Sequence, residues 1–390
     1  MTVMPARVYA ALSSNPRGGV MKATSVLRLP LHQPGDSVFL RDAHPEERMR
    51  KPVLLLSLVA AIAPSLGAQT YNVTHTYTVG GEGGWDYILP DAPRHRMFVA
   101  RGNRFMVVDM NTGQLITEIK GFNGAHGTAL VPEIGRGFAT SGEDSSIIMF
   151  DMASYKPLLK IHAGDDADDI IYDPFSKRIY SFNGDANTST VVDPRRGTVV
   201  ATIPLGGKPE AGQSARNGKI YVNLVDSAQI VEIDTRTMAV TKRFSTAPCK
   251  TPVSMALDTR SERLFIGCRS GVLAVADYNK GTIVTTLPIG QGVDGAGWDP
   301  RLRDIYASNS DGTLTVIHQD SPNKYHVVES VQTGERGRTM GLDPATHRIF
   351  IPVAKFGPVP AESTATNPRR RPPMLPGTFA IVVVEPVGSH

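Results

Sequence analysis

The stretch "DPFSKRIYSFNG", Asp173–Gly184, reads as a turn and a strand. Asp-Pro opens a bend, Ile-Tyr-Ser-Phe alternates across a strand, and Asn-Gly closes it. Alone it is any hairpin. It returns, however, as "DAPRHRMFVARG", "DTRSERLFIGC", "DPRLRDIYASN" and "DPATHRIFIPV". Aligned on the strand, the copies begin at Arg96, Arg136, Arg178, Lys219, Arg263, Asp304 and Arg348, with steps of 40, 42, 41, 44, 41 and 44 residues. Within each copy a short strand runs into the turn and the anchor strand follows. A third apolar strand ("RFMVVDM", "SSIIMFD", "STVVD") and a last one ("QLITEIKG", "TVVATIPLG") complete it. Four short strands in about 40 residues is the blade signature of a β-propeller. The pattern predicts an all-β, seven-bladed β-propeller. The seventh copy runs out after "GTFAIVVVEP", and the spare strand "YNVTHTYTVGG", Tyr71–Gly81, has the pattern of a last strand. The expectation is that this N-terminal strand completes the last blade and leaves no free edge.

The blades resemble the YVTN-repeat β-propellers, exported bacterial seven-bladed proteins whose repeats read G-x-x-P … DP-x-x-x-R-x-Y-V. "DPFSKRIYSFNG", "GGKPEAGQSARNGKIYVN" and "GTIVTTLPIGQGVDGAGWDP" carry the likeness, which covers residues 71–386. It implies a fold and an exported location, and no definite activity. Some copies depart from the repeat by placing "GGWD" or "AHG" where the family has Pro.

Upstream, "MRKPVLLLSLVAAIAPSLGAQ" begins at Met49. It has a basic start (Arg50, Lys51), an apolar run of about 11 residues from Val53 to Ala63, and a small-residue end at Gly67-Ala68. That is the plan of a secretory signal peptide over 49–68. The run falls short of the roughly 20 residues that span a bilayer. A buried core helix is the alternative. Residues 1–48 show no hydrophobic periodicity, and read as a disordered extension or a mis-assigned start. The expected exported part is therefore 69–390, periplasmic or extracellular, with no stable membrane span after cleavage. Residues 1–68 hold 8 of the 41 Lys and Arg and 4 of the 37 Asp and Glu, which leaves 33 of each sign beyond them. A near-neutral domain gives no argument for nucleic-acid or membrane binding. A monomer is expected. Arg369-Arg370-Arg371 lies in a Pro-rich stretch and reads as a solvated loop.

Ten residues before each anchor, with one-residue slips in copies four and five, stand Asp86, His126, Asp168, Glu210, Pro252, Asp294 and Arg338. In a closed ring these side chains converge on the axis. Asp86, His126, Asp168, Glu210 and Asp294 offer ligands for a divalent cation, the imidazole admitting a transition metal. The same set offers a general acid or base (His126, Asp168, Glu210) and an arginine, Arg338, for a substrate carboxylate. The plainer alternative is a water-filled channel lined with solvated polar groups. No H-E-x-x-H or C-x-x-C spacing accompanies the set.

"GEGGWDY", Gly81–Tyr87, places Trp85 on flexible backbone, either to stack on a ligand or to pack between blades. "DDADD", Asp165–Asp169, is a calcium loop fragment or an ordinary acidic turn. Cys249 and Cys268 are the chain's two cysteines and fall in one copy. In an exported protein that pair reads as a disulfide. A redox-active pair is the sharper alternative, without C-x-x-C spacing. The Pro-rich insertion 355–377 reads as a flap or a tolerated loop. The main functional expectation is a binding or scaffold protein that holds a small polar ligand, cation or extracytoplasmic partner at the channel. The alternative is a metal-assisted propeller lyase or lactone hydrolase.

Overall fold

Each repeated residue of the opening stretch has a structural task. In the computed structural model, which describes residues 70–364 and 370–388, the stretch joins the strands Ala167–Asp173 and Arg178–Asn183. Asp173 is fully buried at the turn. One carboxylate oxygen accepts from the Ser176 amide at 2.8 Å and the other from the Ser214 hydroxyl of the next copy at 2.5 Å. The Asp therefore builds the turn and ties neighbouring sheets. Asp299 does the same through His347, 2.6 Å away in the next copy. The basic residue opening the anchor strand pairs with the Asp that ends the third strand: Arg136 with Asp151 at 2.7 Å, Lys219 with Asp234 at 2.9 Å, Arg263 with Asp277 at 3.1 Å. Copy six swaps the charges. Asp304 stands where the others have a base, and pairs with His318 at 2.6 Å. The third anchor residue is always aromatic (Phe98, Phe138, Tyr180, Tyr221, Phe265, Tyr306, Phe350), and all seven are at most 1 % exposed.

These hairpins form an all-β propeller. The apolar core lies between the faces of neighbouring sheets. Ala129, Val131, Phe138 and Ile161 of copy two, for example, pack on Ala167, Ile170 and Ile179 of copy three. A sheet exposes one row of side chains on each face, so burying both faces requires a neighbour on each side.

The expected count of seven four-stranded sheets needs correcting. There are six sheets among the described residues: five of four strands and one of six. Copies one and two share the six-stranded sheet, because the strands Arg96–Asp109 and Leu115–Val131 each run on through what the repeat treats as a turn. Ala125 pairs with Gly102 on one side and Ser141 on the other, which bridges the two copies. Gly102 has φ +59°, a value glycine adopts without strain, so the chain bends there and keeps its pairing.

The strand Thr70–Thr78 pairs antiparallel with Ala380–Val387, from Thr70 opposite Val387 to Thr78 opposite Ala380. It is also pinned to copy six. The buried Tyr71 hydroxyl donates to Asp304 at 2.6 Å and lies 2.9 Å from the Tyr306 hydroxyl. Tyr71→Phe removes a donor from a buried carboxylate, and is expected to cost about 2 kcal/mol in urea denaturation. An unchanged midpoint would mean that the Tyr71 hydroxyl contributes nothing to holding the strand.

Cys249 and Cys268 form a disulfide, and both are fully buried. A sulfur pair without solvent access has no route to an exchange partner, so its role is structural. Closing a loop of this length is worth roughly 3 kcal/mol. The double variant Cys249→Ala, Cys268→Ala is expected to lose that much in the same assay, and a loss near zero would assign the stability elsewhere. The signal segment 49–68 and the 1–48 extension lie outside the described residues, as does Arg369. No helix among the described residues is long and apolar enough to cross a membrane.

Candidate functional site

The repeat position ten residues before the anchor falls within the first strand of each copy or just before it. His126 lies in Leu115–Val131, Asp168 in Ala167–Asp173, Glu210 in Pro209–Ser214 and Asp294 in Val293–Asp299. Asp86 and Arg338 sit just before Ile88–Asp91 and Gly341–Asp343. The structure brings these six side chains into two linked groups.

The first group is Asp86, His126 and Asp168. His126 Nδ1 lies 2.6 Å from Asp86 Oδ2 and 3.4 Å from Asp168 Oδ1. An imidazole nitrogen has one proton to give, and the shorter contact takes it. Asp168 Oδ1 is accordingly buried with no hydrogen-bond partner. One ligand atom from each of the three residues lies within 4.8 Å of the others. Glycines shape the imidazole's seat. A Cβ on Gly142 would stand 3.0 Å from His126 Nε2, so the ring's far side rests on backbone. A Cβ on Gly127 would meet the Asp168 carbonyl at 3.1 Å. "GAHGT" thus reads as close packing around His126 rather than as flexibility.

The second group is Glu210, Asp294, Arg338 and a residue outside the repeat position, Arg269. Arg269 is 3.1 Å from Asp294 and 3.6 Å from Glu210, and Arg338 bonds the other Asp294 oxygen. Copy five contributes the buried Pro252 to the ring, and Arg269 of the same copy supplies the charge in that sector. Its amide donates to the Thr251 carbonyl at 3.1 Å, beside Pro252.

Protonation follows from this crowding. Burial pushes Asp168 well up; His126 opposes, while Asp86, Glu210 and Asp169 reinforce. Burial, then Asp294, raises Glu210 to about 7 against the pull of Arg269. Burial also raises Asp294, although Arg338 and Arg269 resist. For His126, burial opposes the charge. The Asp86 hydrogen bond and the Asp168 and Asp86 charges outweigh it and hold the imidazole up to about 9. Two further channel groups escaped the sequence reading. Asp169 accepts from the Gly212 amide at 2.9 Å and is raised by burial to about 6. Tyr87 is raised well above its usual value by burial and by Asp168, Asp169, Glu210 and Asp86. Their only sequence signal is adjacency to Asp168 and Asp86.

Other candidates resolve differently. Trp85 packs between Phe379 and Phe356, with ring centroids at 5.5 and 6.0 Å. Phe356 belongs to the 355–377 insertion, whose described part is pinned by the Phe356–Met374 bridge. In "DDADD", Asp165 accepts from Ser145, and Asp166 pairs with Lys208 at 3.0 Å. That part is an acidic turn, and Asp168 and Asp169 turn inward.

No protein-family model matches the chain, and no curated protein matches it. Among solved structures it is similar to hydrazine synthase from Kuenenia stuttgartiensis, at 14% sequence identity and a TM-score of 0.61. The match covers 76% of this chain and 96% of that one. At that identity the likeness bears on the fold alone.

Proposed function

We propose that this chain is an exported binding protein, a seven-bladed propeller of the YVTN-repeat type that holds a divalent cation in its central channel. The blade count rests on cyclic contacts among the first strands. Ile88–Asp91 touches Leu115–Val131, and the contacts pass through Ala167–Asp173, Pro209–Ser214, Pro252–Asp258 and Val293–Asp299 to Gly341–Asp343, which meets Ile88–Asp91 again. The six-stranded sheet then counts as two blades, and Thr70–Thr78 closes the last one. The buried disulfide supports an oxidising compartment.

One observation carries the cation: Asp86, His126 and Asp168 offer three ligand atoms within 4.8 Å of one another, and Asp168 Oδ1 is buried without a hydrogen bond. Two carboxylates and an imidazole suit Mn²⁺ or Zn²⁺ better than Ca²⁺, which prefers oxygen alone. A bound cation would present its remaining positions to a small polar ligand in the channel, beside Arg338. The enzyme reading, a metal-assisted lyase or hydrolase, is favoured by Glu210, whose value near 7 is that of an acid–base catalyst.

The test is calorimetric titration of chelator-stripped protein with MnCl₂, ZnCl₂ and CaCl₂. The expected result is one site, tighter for Mn²⁺ or Zn²⁺ than for Ca²⁺ and lost in His126→Ala and Asp168→Ala. Absence of binding to the stripped wild type, with its fold intact, would sink the proposal.

A further inference from the structure

Beside the channel group lies a cavity of about 510 Å³, lined by Trp85, Ser310, Arg336, Arg338, Phe356 and Arg371. We propose that it binds a small organic anion with a flat apolar body, the carboxylate held by guanidinium groups and the body lying on aromatic rings.

Charge and shape point the same way. Three arginines line the cavity and no acid does. Arg338 is bound to Asp294 on the channel side. Arg336 makes no side-chain hydrogen bond or ion pair among the described residues. Its guanidinium lies 4.4 Å over the Phe356 ring, so its charge is held in place without being neutralised. An aromatic face orients a guanidinium and leaves its N–H edge free for a carboxylate. The walls are fixed from behind. Phe356, Trp85 and Phe379 form a ladder, and the buried Arg101 lies 3.6 Å over Phe379. Arg101 also donates to the Gly81 and Glu82 carbonyls at 3.0 Å and so anchors the segment that carries Trp85. Thr339 ties that segment to the arginine segment by donating to the Asp86 carbonyl at 3.0 Å. The volume is that of a small-molecule site.

None of these residues is among the proposed cation ligands, so the experiment is run in chelator and its outcome is independent of the cation. Trp298→Phe leaves Trp85 as the single tryptophan. Benzoate, benzamide and acetate are then titrated against its fluorescence. The expected result is saturable binding of benzoate, at least tenfold weaker for neutral benzamide and for acetate, which lacks the ring. Arg336 has φ +59°, a conformation glycine takes without strain, so Arg336→Gly removes the side chain while keeping the loop. It is expected to weaken benzoate tenfold or more, and Phe356→Leu several-fold, both with unchanged thermal melts. No saturable binding in the millimolar range overturns the proposal. So does equal binding of benzoate and benzamide, or full affinity in Arg336→Gly.

Discussion

Cation affinity is expected to climb about tenfold or more for each unit of pH up to about pH 9, where the His126 proton is lost. The geometry leaves no other route. Nδ1 faces both carboxylates, at 2.6 and 3.4 Å, while Nε2 rests against Gly142. A cation seated between Asp86 and Asp168 must take the place of the Nδ1 proton. Asp86 and Asp168 hold that proton well above the usual imidazole range, so binding at neutral pH releases one proton from His126. Calorimetry at fixed pH in buffers of different ionisation enthalpy counts it directly, and at least one proton is expected, because Asp168, pushed well up by burial, must also be ionised to ligate. The slope of log affinity against pH gives the same number. A flat profile, or unaltered binding in His126→Ala, would show a cation held by carboxylates alone. Gly142→Ala offers a positional check. Its Cβ would crowd Nε2 at 3.0 Å and turn the ring, so affinity should fall while the carboxylates stay intact.

The ring position was legible because the repeat is a ruler. Once anchors are aligned, one offset names one radius of the propeller, and Asp86, His126, Asp168, Glu210, Asp294 and Arg338 fall on it whatever their chemistry. What departs from the repeat is not legible that way. Arg269 reaches Asp294 from the turn after its own anchor strand, and no offset predicts how far a guanidinium reaches. The merged sheet of copies one and two hid for a related reason. Gly102 looks like the end of a strand, but its backbone bends at φ +59° and continues to pair. Trp85 could have packed or stacked on a ligand. The insertion decides this by supplying Phe356, and insertions have no place in a periodic alignment. The Arg-Asp and Asp-Ser pairs that hold the sheets were visible as recurring letters. Their partners appear only when strands lie side by side.

Stripped of cation, the protein is expected to lose stability as pH rises from about 5 to about 9. The sign follows from the channel groups raised in the folded state, Asp168 and Asp294 among them, and three others set the pH window. Glu210 moves from 4.5 to about 7, Asp169 from 3.8 to about 6, and His126 from 6.5 to about 9. Each binds its proton more tightly folded than unfolded. Its contribution is therefore complete below the unfolded value and is lost as pH rises through the folded one. Asp169 and Glu210 act across pH 4 to 7, and His126 across 6.5 to 9. A rise of this size in one group corresponds to roughly 3 kcal/mol. Because all three interact with Asp86, the combined loss is not their sum; several kcal/mol, on the order of 10 °C in Tm, is expected. Below about pH 4 the trend reverses. Asp144 and Asp234, held below their usual range, become protonated and give up what they contributed. Glu210→Gln should flatten the segment between pH 5 and 7 and leave the His126 segment in place. Asp168→Asn should raise Tm at pH 8, because a neutral amide replaces a buried carboxylate whose Oδ1 has no hydrogen bond. In the wild type a bound cation should cancel most of the alkaline loss, because it supplies the positive charge that His126 surrenders. A melt that rises with pH in the stripped protein would contradict the burial of these acids, and with it the channel as a cation site.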